Sequence, residues 1–484
     1  MIGRTALVVF VSLTGVLIAQ NLESKTENAQ RFEVRGRVVD ENDDVVQGIL
    51  IRVEAASSNV PMPAQRSRIF TDDRGAFSLS LGPGKYYISA SPMEGMDNQP
   101  EIHTDGTSGA PYGQTYYPST ANQAAAVAVV PNAGRDASAL VIRLLRQSTV
   151  PLTASPSAGQ NSASVEGAVI NQVTGAPLPR VHISLWNFDN GVHRYYGAMT
   201  NLDGTFSIKG MPAATYGILL TRAGFANPRS CCTSVALRSG EHRRDVQLPL
   251  LPSGAISGRV LNSDGVPVED ATVGARGNQG SQGSQTDSLG RFRISGLLPG
   301  IYRLDASPPM STHPARPPQI GSDGTLPTHH IRTDYPGAVE VHPDGEVGRI
   351  EIRLARTPVV RVSGRVTGAP QGASVSLSVN NRFGGFSDIA SADGTFAWWG
   401  LDPGEYAIRA WEGIGSLDLA IDGTRARNSA LTTIAVAGEN VDNLELRIRP
   451  PSEISGQVEF ETGAFDPHPQ ERWLRVSAKD LNGG

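Results

Sequence analysis

The chain has 484 residues, a formal net charge of −5 and two cysteines. That length suggests about three domains at ~150 residues each, or more if they are small. The charge excludes the basic footprint of a nucleic-acid binder, and the cysteine count excludes a disulfide-rich scaffold and a cysteine-based zinc site.

Residues 1–19 read as a signal peptide. Arg4 precedes the apolar run Ala6 to Ala19, and polar Gln20, Asn21 and Glu23 follow almost at once. The 14-residue run suits a signal core and is short for a spanning helix. No Cys follows it, so no lipid anchor is expected. Residues 20–30 form a tail. The mature chain is expected outside the cytoplasm, at the cell surface, in the periplasm or in the medium, with no membrane span.

From residue 31 one pattern recurs four times and begins a fifth time. An opening strand carries Gly-x-Val: Gly36-Arg37-Val38, Gly167-Ala168-Val169, Gly258-Arg259-Val260, Gly364-Arg365-Val366 and Gly456-Gln457-Val458. A turn ending in Gly-x-Phe follows, at Gly75-Ala76-Phe77, Gly204-Thr205-Phe206, Gly290-Arg291-Phe292 and Gly394-Thr395-Phe396. Nine or ten residues after each Phe stands a Tyr: Tyr86, Tyr216, Tyr302 and Tyr406. Pro-Gly-x precedes three of these, and Pro212-Ala213-Ala214-Thr215 replaces it in the second unit. Each complete unit closes on an alternating strand, around Val141–Leu144, Val246–Leu248, Ile350–Leu354 and Leu444–Ile448.

Apolar–polar alternation marks strands with one buried face. Asp-Gly and Pro-Gly place residues suited to reversal between them. In the third unit Phe292 and Ile294 should point inward, as should Tyr302, Leu304 and Ala306, with Arg291, Arg293, Arg303 and Asp305 outward. The expected fold class is all-β, a tandem array of four small antiparallel β-sandwiches and an incomplete fifth. The units span 31–146, 164–252, 253–355, 356–450 and 451–484. Gln147 to Ala163, polar and rich in Ser, Pro and Ala, reads as a linker. The fifth unit stops before its Phe, Tyr and closing strands, so the sequence is expected to be a fragment of a longer protein.

The Gly-x-Val opening, the Asp/Asn-x-x-Gly-x-Phe turn and the Pro-Gly-x-Tyr hairpin resemble tandem carboxypeptidase regulatory-like domains. These are transthyretin-like β-sandwiches, also grouped with carbohydrate-binding-like folds. The resemblance covers almost the whole mature chain. It implies spacers, binding domains or appendages of enzymes, and so fixes the fold more than the function.

The first and third units carry insertions before their closing strands, around Tyr112–Pro118 and His329–Gly337. Each reads as a Pro-ordered cover over the sandwich end or, alternatively, as a binding loop. Catalytic motifs are wanting. His468-Pro469-Gln470-Glu471 matches the His-x-x-Glu of related zinc carboxypeptidases, but no room remains for a third ligand or a catalytic domain. His329 and His330 would point to opposite faces of a strand and form no metal pair. Asp40-Glu41-Asn42-Asp43-Asp44 lacks the spaced order of a calcium loop and reads as a solvated turn. Lys25, Lys85, Lys209 and Lys479 do not recur at equivalent positions, which argues against internal Lys isopeptide bonds. No enzyme, metal or cofactor is expected.

Outward aromatic residues are the best lead. In Val181–Phe188, Trp186 and Phe188 share the face opposite Val181, Ile183 and Leu185, and Tyr195 or Tyr196 of the next strand should join them. Trp399 and Trp411 occupy outward positions of the fourth unit, too far apart for one site. Such rings either stack on sugars or cover a neighbouring unit. Cys231-Cys232 admits a vicinal disulfide, free thiols or an intermolecular bridge. The expected function is therefore exported, non-catalytic binding, adhesion or scaffolding, with polysaccharide or another cell-envelope component as partner. The alternative is the non-catalytic N-terminal part of a larger exported hydrolase, receptor or transporter.

Overall fold

A computed structural model describes residues 31–56, 69–93, 98–131, 137–147, 162–189, 192–226, 234–309, 327–381, 384–413 and 428–450. Residues 1–19, read above as a signal peptide, Cys231 and Cys232, His468 to Glu471 and the expected fifth unit lie outside them. The chain divides into two compact bodies, residues 1–359 and 360–484. The first body holds three hydrophobic cores and the second one, each core built from a single repeat of the pattern.

Every repeat folds as two packed sheets. One sheet holds the opening strand (Phe32–Val39, Ala163–Asn171, Gly254–Leu261 and Arg361–Thr367). It lies between the Phe strand (Ala76–Leu81, Thr205–Met211, Arg291–Leu297 and Thr395–Trp399) and the closing strand. The other sheet holds the Tyr strand (Tyr86–Ser91, Ala214–Thr221, Gly300–Ser307 and Gly404–Glu412). The alternation decides which residues meet between the sheets: Phe292, Ile294, Tyr302, Leu304 and Ala306 are all buried in the third core. Trp398 is likewise core, stacked on Phe396.

The sheets are mostly antiparallel, with one exception per repeat. The closing strand (Ala137–Arg143, His242–Pro252, Glu346–Arg353 and Val441–Arg447) pairs in parallel with the opening strand. Alternation reveals a strand but not its neighbour. A parallel pair needs a long crossover, and each repeat's own strands of the second sheet lie between these two strands in sequence.

Each parallel pair contains a bulge, and three bulges turn on a residue with φ near +60°: Asp245 (59°), Arg349 (64°) and Asn443 (60°). The bulge drives a carbonyl against the opening strand. A Cβ on Gly167 or Gly258 would lie 2.0 Å from the carbonyl oxygen of Val246 or Ile350, and one on Gly364 2.3 Å from that of Leu444. Hence the glycine of Gly-x-Val: only a residue without a side chain admits the bulge.

Two further hydroxyls repeat. The tyrosine hydroxyl donates to the carbonyl four residues earlier: Tyr86 to Gly82 (3.1 Å), Tyr216 to Pro212 (2.9 Å), Tyr302 to Leu298 (2.7 Å) and Tyr406 to Asp402 (2.9 Å). In the first three sandwiches a buried threonine, Thr71, Thr200 or Thr286, bridges a backbone N–H and a carbonyl.

Asp305, expected outward, is on that face but buried. Arg332 of the third insertion covers it at 2.6 Å, and burial raises its carboxyl above the ordinary value against the pull of Arg332 and Arg276. The first insertion also covers: Tyr112 and Tyr117 pack on the first core. The acidic turn is spent on arginines, with Asp43 bound to Arg143, Glu41 to Arg146 and Asp44 to Arg180.

Within residues 1–359 the first sandwich touches both others. Arg293 of the third pairs with Asp72 and Asp73 of the first, Arg291 with Glu33, and Arg74 with Glu346. The stretch Ile102–His103, between the Tyr strand of the first sandwich and its insertion around Tyr112–Pro118, adds a parallel strand to the outer sheet of the second sandwich. Ile102 packs on the second core.

Candidate functional site

The outer sheet of the second sandwich runs Ser234–Leu237, Ala214–Thr221, His182–Asp189, Val192–Met199, Ile102–His103. Val181, Ile183 and Leu185 fill the core side, so His182, Ser184, Trp186 and Phe188 share the opposite face. Registry sets their neighbours: Trp186 faces Tyr195, and Phe188 faces His193. On the other flank Trp186 faces Gly217. A Cβ on Gly217 would sit 2.5 Å from Trp186 Cε2, so the indole lies over the strand where a side chain is missing.

The result is one aromatic surface. His193 stands 4.6 Å from Phe188, 6.1 Å from Tyr195 and 6.5 Å from Trp186, measured between ring centroids. Phe188 is 62% exposed, and Trp186 and Tyr195 are half-buried. Trp186, Phe188 and Tyr195 therefore come together as the alternation requires. His193 completes the group and was missed, although its place across the hairpin from Phe188 follows from the same two-residue period.

Three sequence candidates lie elsewhere. Tyr196 is 2% exposed and meets Tyr216 edge-on in the core, so of the adjacent pair only Tyr195 faces out. Trp411 is outward of the fourth core but 4% exposed, paired in register with Ser376 and Ser429. That burial corrects its reading as an open platform, although Arg409 on the same face of the strand is exposed. Trp399 is half-buried under the Arg361 guanidinium at 5.5 Å, and Arg361 is itself held by Asp442. Cys231 and Cys232 lie outside the described residues.

The other end of the same face holds a group that sequence reasoning did not single out. Glu101 Oε2 lies 2.8 Å from both His103 Nε2 and His182 Nε2. Burial pushes the Glu101 carboxyl up, but the two imidazoles outweigh it and hold it at about 2. Glu101 and His182 also border a cavity of about 650 Å³ between the first and second sandwiches, with Asp44, Arg146, Arg180 and Phe225 on its wall.

A family model described as the carboxypeptidase regulatory-like domain matches residues 164–250 and 255–326. No curated protein matches the sequence. Among solved structures, the Bacillus anthracis TIE protein is 11% identical, covering 90% of this chain and 78% of its own, with a TM-score of 0.18. GBS52, the minor pilin of Streptococcus agalactiae, is 16% identical over 41% of this chain and 98% of its own, at a TM-score of 0.23. A streptococcal ancillary pilin is 12% identical over 60% of this chain and 100% of its own, at 0.22. Identities and TM-scores of this size carry nothing about function. The two family matches fall in sequence order on the second and third sandwiches, so residues 164–250 and 255–326 match the carboxypeptidase regulatory-like domain twice in tandem.

Proposed function

We propose that this is an exported, non-catalytic binding protein of the cell surface whose second sandwich holds polysaccharide on the Trp186, Phe188, His193 and Tyr195 face. The observation that carries the reading is the open aromatic surface itself. A sugar ring offers an apolar face and a polar rim, and flat rings on a rigid sheet match both. The indole over Gly217 is fixed in place before any ligand arrives, which lowers the ordering cost of binding.

The test is a glycan array with the full chain, followed by affinity electrophoresis on the glycan retained. Trp186→Ala should abolish retention while lowering stability by no more than about 1 kcal/mol, as for a surface change. Undiminished retention by Trp186→Ala, or no retention of any glycan by the unaltered chain, overturns the reading.

A further inference from the structure

The Glu101, His103 and His182 group is independent of the aromatic surface and carries its own chemistry. The Glu101 and His103 side chains are 4% and 5% exposed, and His182 is 26% exposed. Two of the three come from the stretch between the first sandwich's Tyr and closing strands, and one from the second sandwich. Parallel pairing of His103 with Gly197 sets them over that glycine. A Cβ on Gly197 would lie 2.1 Å from Glu101 Oε2 and 2.2 Å from His103 Nε2. The group thus occupies a cradle that any side chain would fill.

Proton counting gives a second, separate observation. Thr107 Oγ1 donates to Asp105 Oδ1 at 2.6 Å, and Met199 N–H donates to Asp105 Oδ2 at 2.8 Å. A threonine hydroxyl has one hydrogen. Its 2.6 Å contact with His103 Nδ1 must then be accepted, so Nδ1 carries the ring proton. His103 Nε2 is then the nitrogen turned to Glu101 Oε2, at 2.8 Å. An imidazole whose far N–H rests on a hydroxyl–carboxylate pair is oriented as metal-ligating histidines are.

We propose that Glu101, His103 and His182 bind a divalent d-block cation, Zn²⁺ in the first instance, and that the ion fastens the first sandwich to the second. Two imidazole nitrogens and one carboxylate oxygen suit zinc and its neighbours, whereas calcium and magnesium prefer oxygen alone. The three ligand atoms already lie within 4.8 Å of one another. Tetrahedral zinc at ~2.0–2.1 Å from each needs the two 2.8 Å contacts to open by roughly half an ångström, which rotation of the carboxylate supplies. The adjoining cavity gives a fourth ligand, water or a small anion, a way in.

The test uses the full chain after chelator treatment. Calorimetric titration with Zn²⁺ should show one tight equivalent, and Co²⁺ should give the visible absorption of a tetrahedral nitrogen–oxygen site. The melting temperature should rise with Zn²⁺. Glu101→Gln, which preserves volume, and His103→Ala should each lose that equivalent, and Gly197→Ala should lose it with all three ligands still present. Thr107→Ala, a positioning change, should weaken binding by about 10- to 100-fold. His193→Ala, on the same sheet face, should leave it unchanged. Absence of uptake by the unaltered chain overturns the proposal, as does undiminished uptake by folded Glu101→Gln.

Discussion

Replacing Thr286 by valine keeps the β-branched shape and removes a single hydroxyl. That hydroxyl accepts from the Ala271 N–H at 2.8 Å and donates to the Val268 carbonyl at 2.6 Å. Ala271 is fully buried, so its N–H gains no water in exchange, and an orphaned buried partner costs about 1–3 kcal/mol. Val268 is half-buried and loses less. The expected cost is ~2–3 kcal/mol, against less than ~1 kcal/mol for Thr286→Ser, which keeps the oxygen. Tryptophan fluorescence is blind to this sandwich, because the five tryptophans stand at 186, 398, 399, 411 and 473. Amide hydrogen exchange by mass spectrometry on the intact chain reads it directly. Protection of Gly254–Leu261 and Arg291–Leu297 should fall by the stated amount in the valine variant, with residues 361–447 unaffected. Equal protection in the valine and serine variants would show that the hydroxyl bridge is not what holds this corner.

Phe292→Ala should cost the third sandwich about 3–5 kcal/mol, seen as its separate melting in calorimetry, and an unchanged profile would remove Phe292 from the core. Gly258→Ala should destabilise the same sandwich by at least ~2 kcal/mol, because its Cβ would meet the Ile350 carbonyl at 2.0 Å; a neutral result would contradict the close approach at the bulge. Acid should loosen the first sandwich from the third. Burial raises the Glu33 and Glu346 carboxyls, but Arg35, Ser78 and Arg291 around Glu33, and Ser257, Arg293 and Arg74 around Glu346, outweigh it and hold both below 4.5. Their stabilisation is therefore complete above about pH 4.5 and is lost as the pH falls through the lower folded-state values. Glu346→Gln should flatten that acid limb in a melting series between neutral and acidic pH, and an unaltered limb would place the effect elsewhere.

The opening, Phe, Tyr and closing strands were legible because a period of two repeats wherever one face is buried. The same period placed Trp186 and Phe188 on one face. It did not reveal that Trp411 and Asp305, correctly phased outward, would be covered, since phase gives a direction and not what lies there. The threonine bridge went unseen because Ala390 stands before the turn in the fourth repeat where Thr71, Thr200 and Thr286 stand in the others. The Glu101 and His103 pair was hidden for a different reason. The strand that carries His103 and follows Glu101, Ile102–His103, is two residues long, too short for any period, and its partner belongs to the next repeat.

That short strand also bears on how the molecule can be taken apart. Val192–Met199 would be an edge strand in a second sandwich cut out alone, with a row of open N–H and C=O groups and an apolar notch where Ile102 had packed. Unsheltered edges invite pairing with other chains. Excising the second repeat at residue 164 should therefore yield a species prone to aggregate, and grafting residues 98–111 back onto it should restore solubility. By the same logic the second sandwich completes its outer sheet only with a segment borrowed from the first, and the order of these two repeats is not interchangeable.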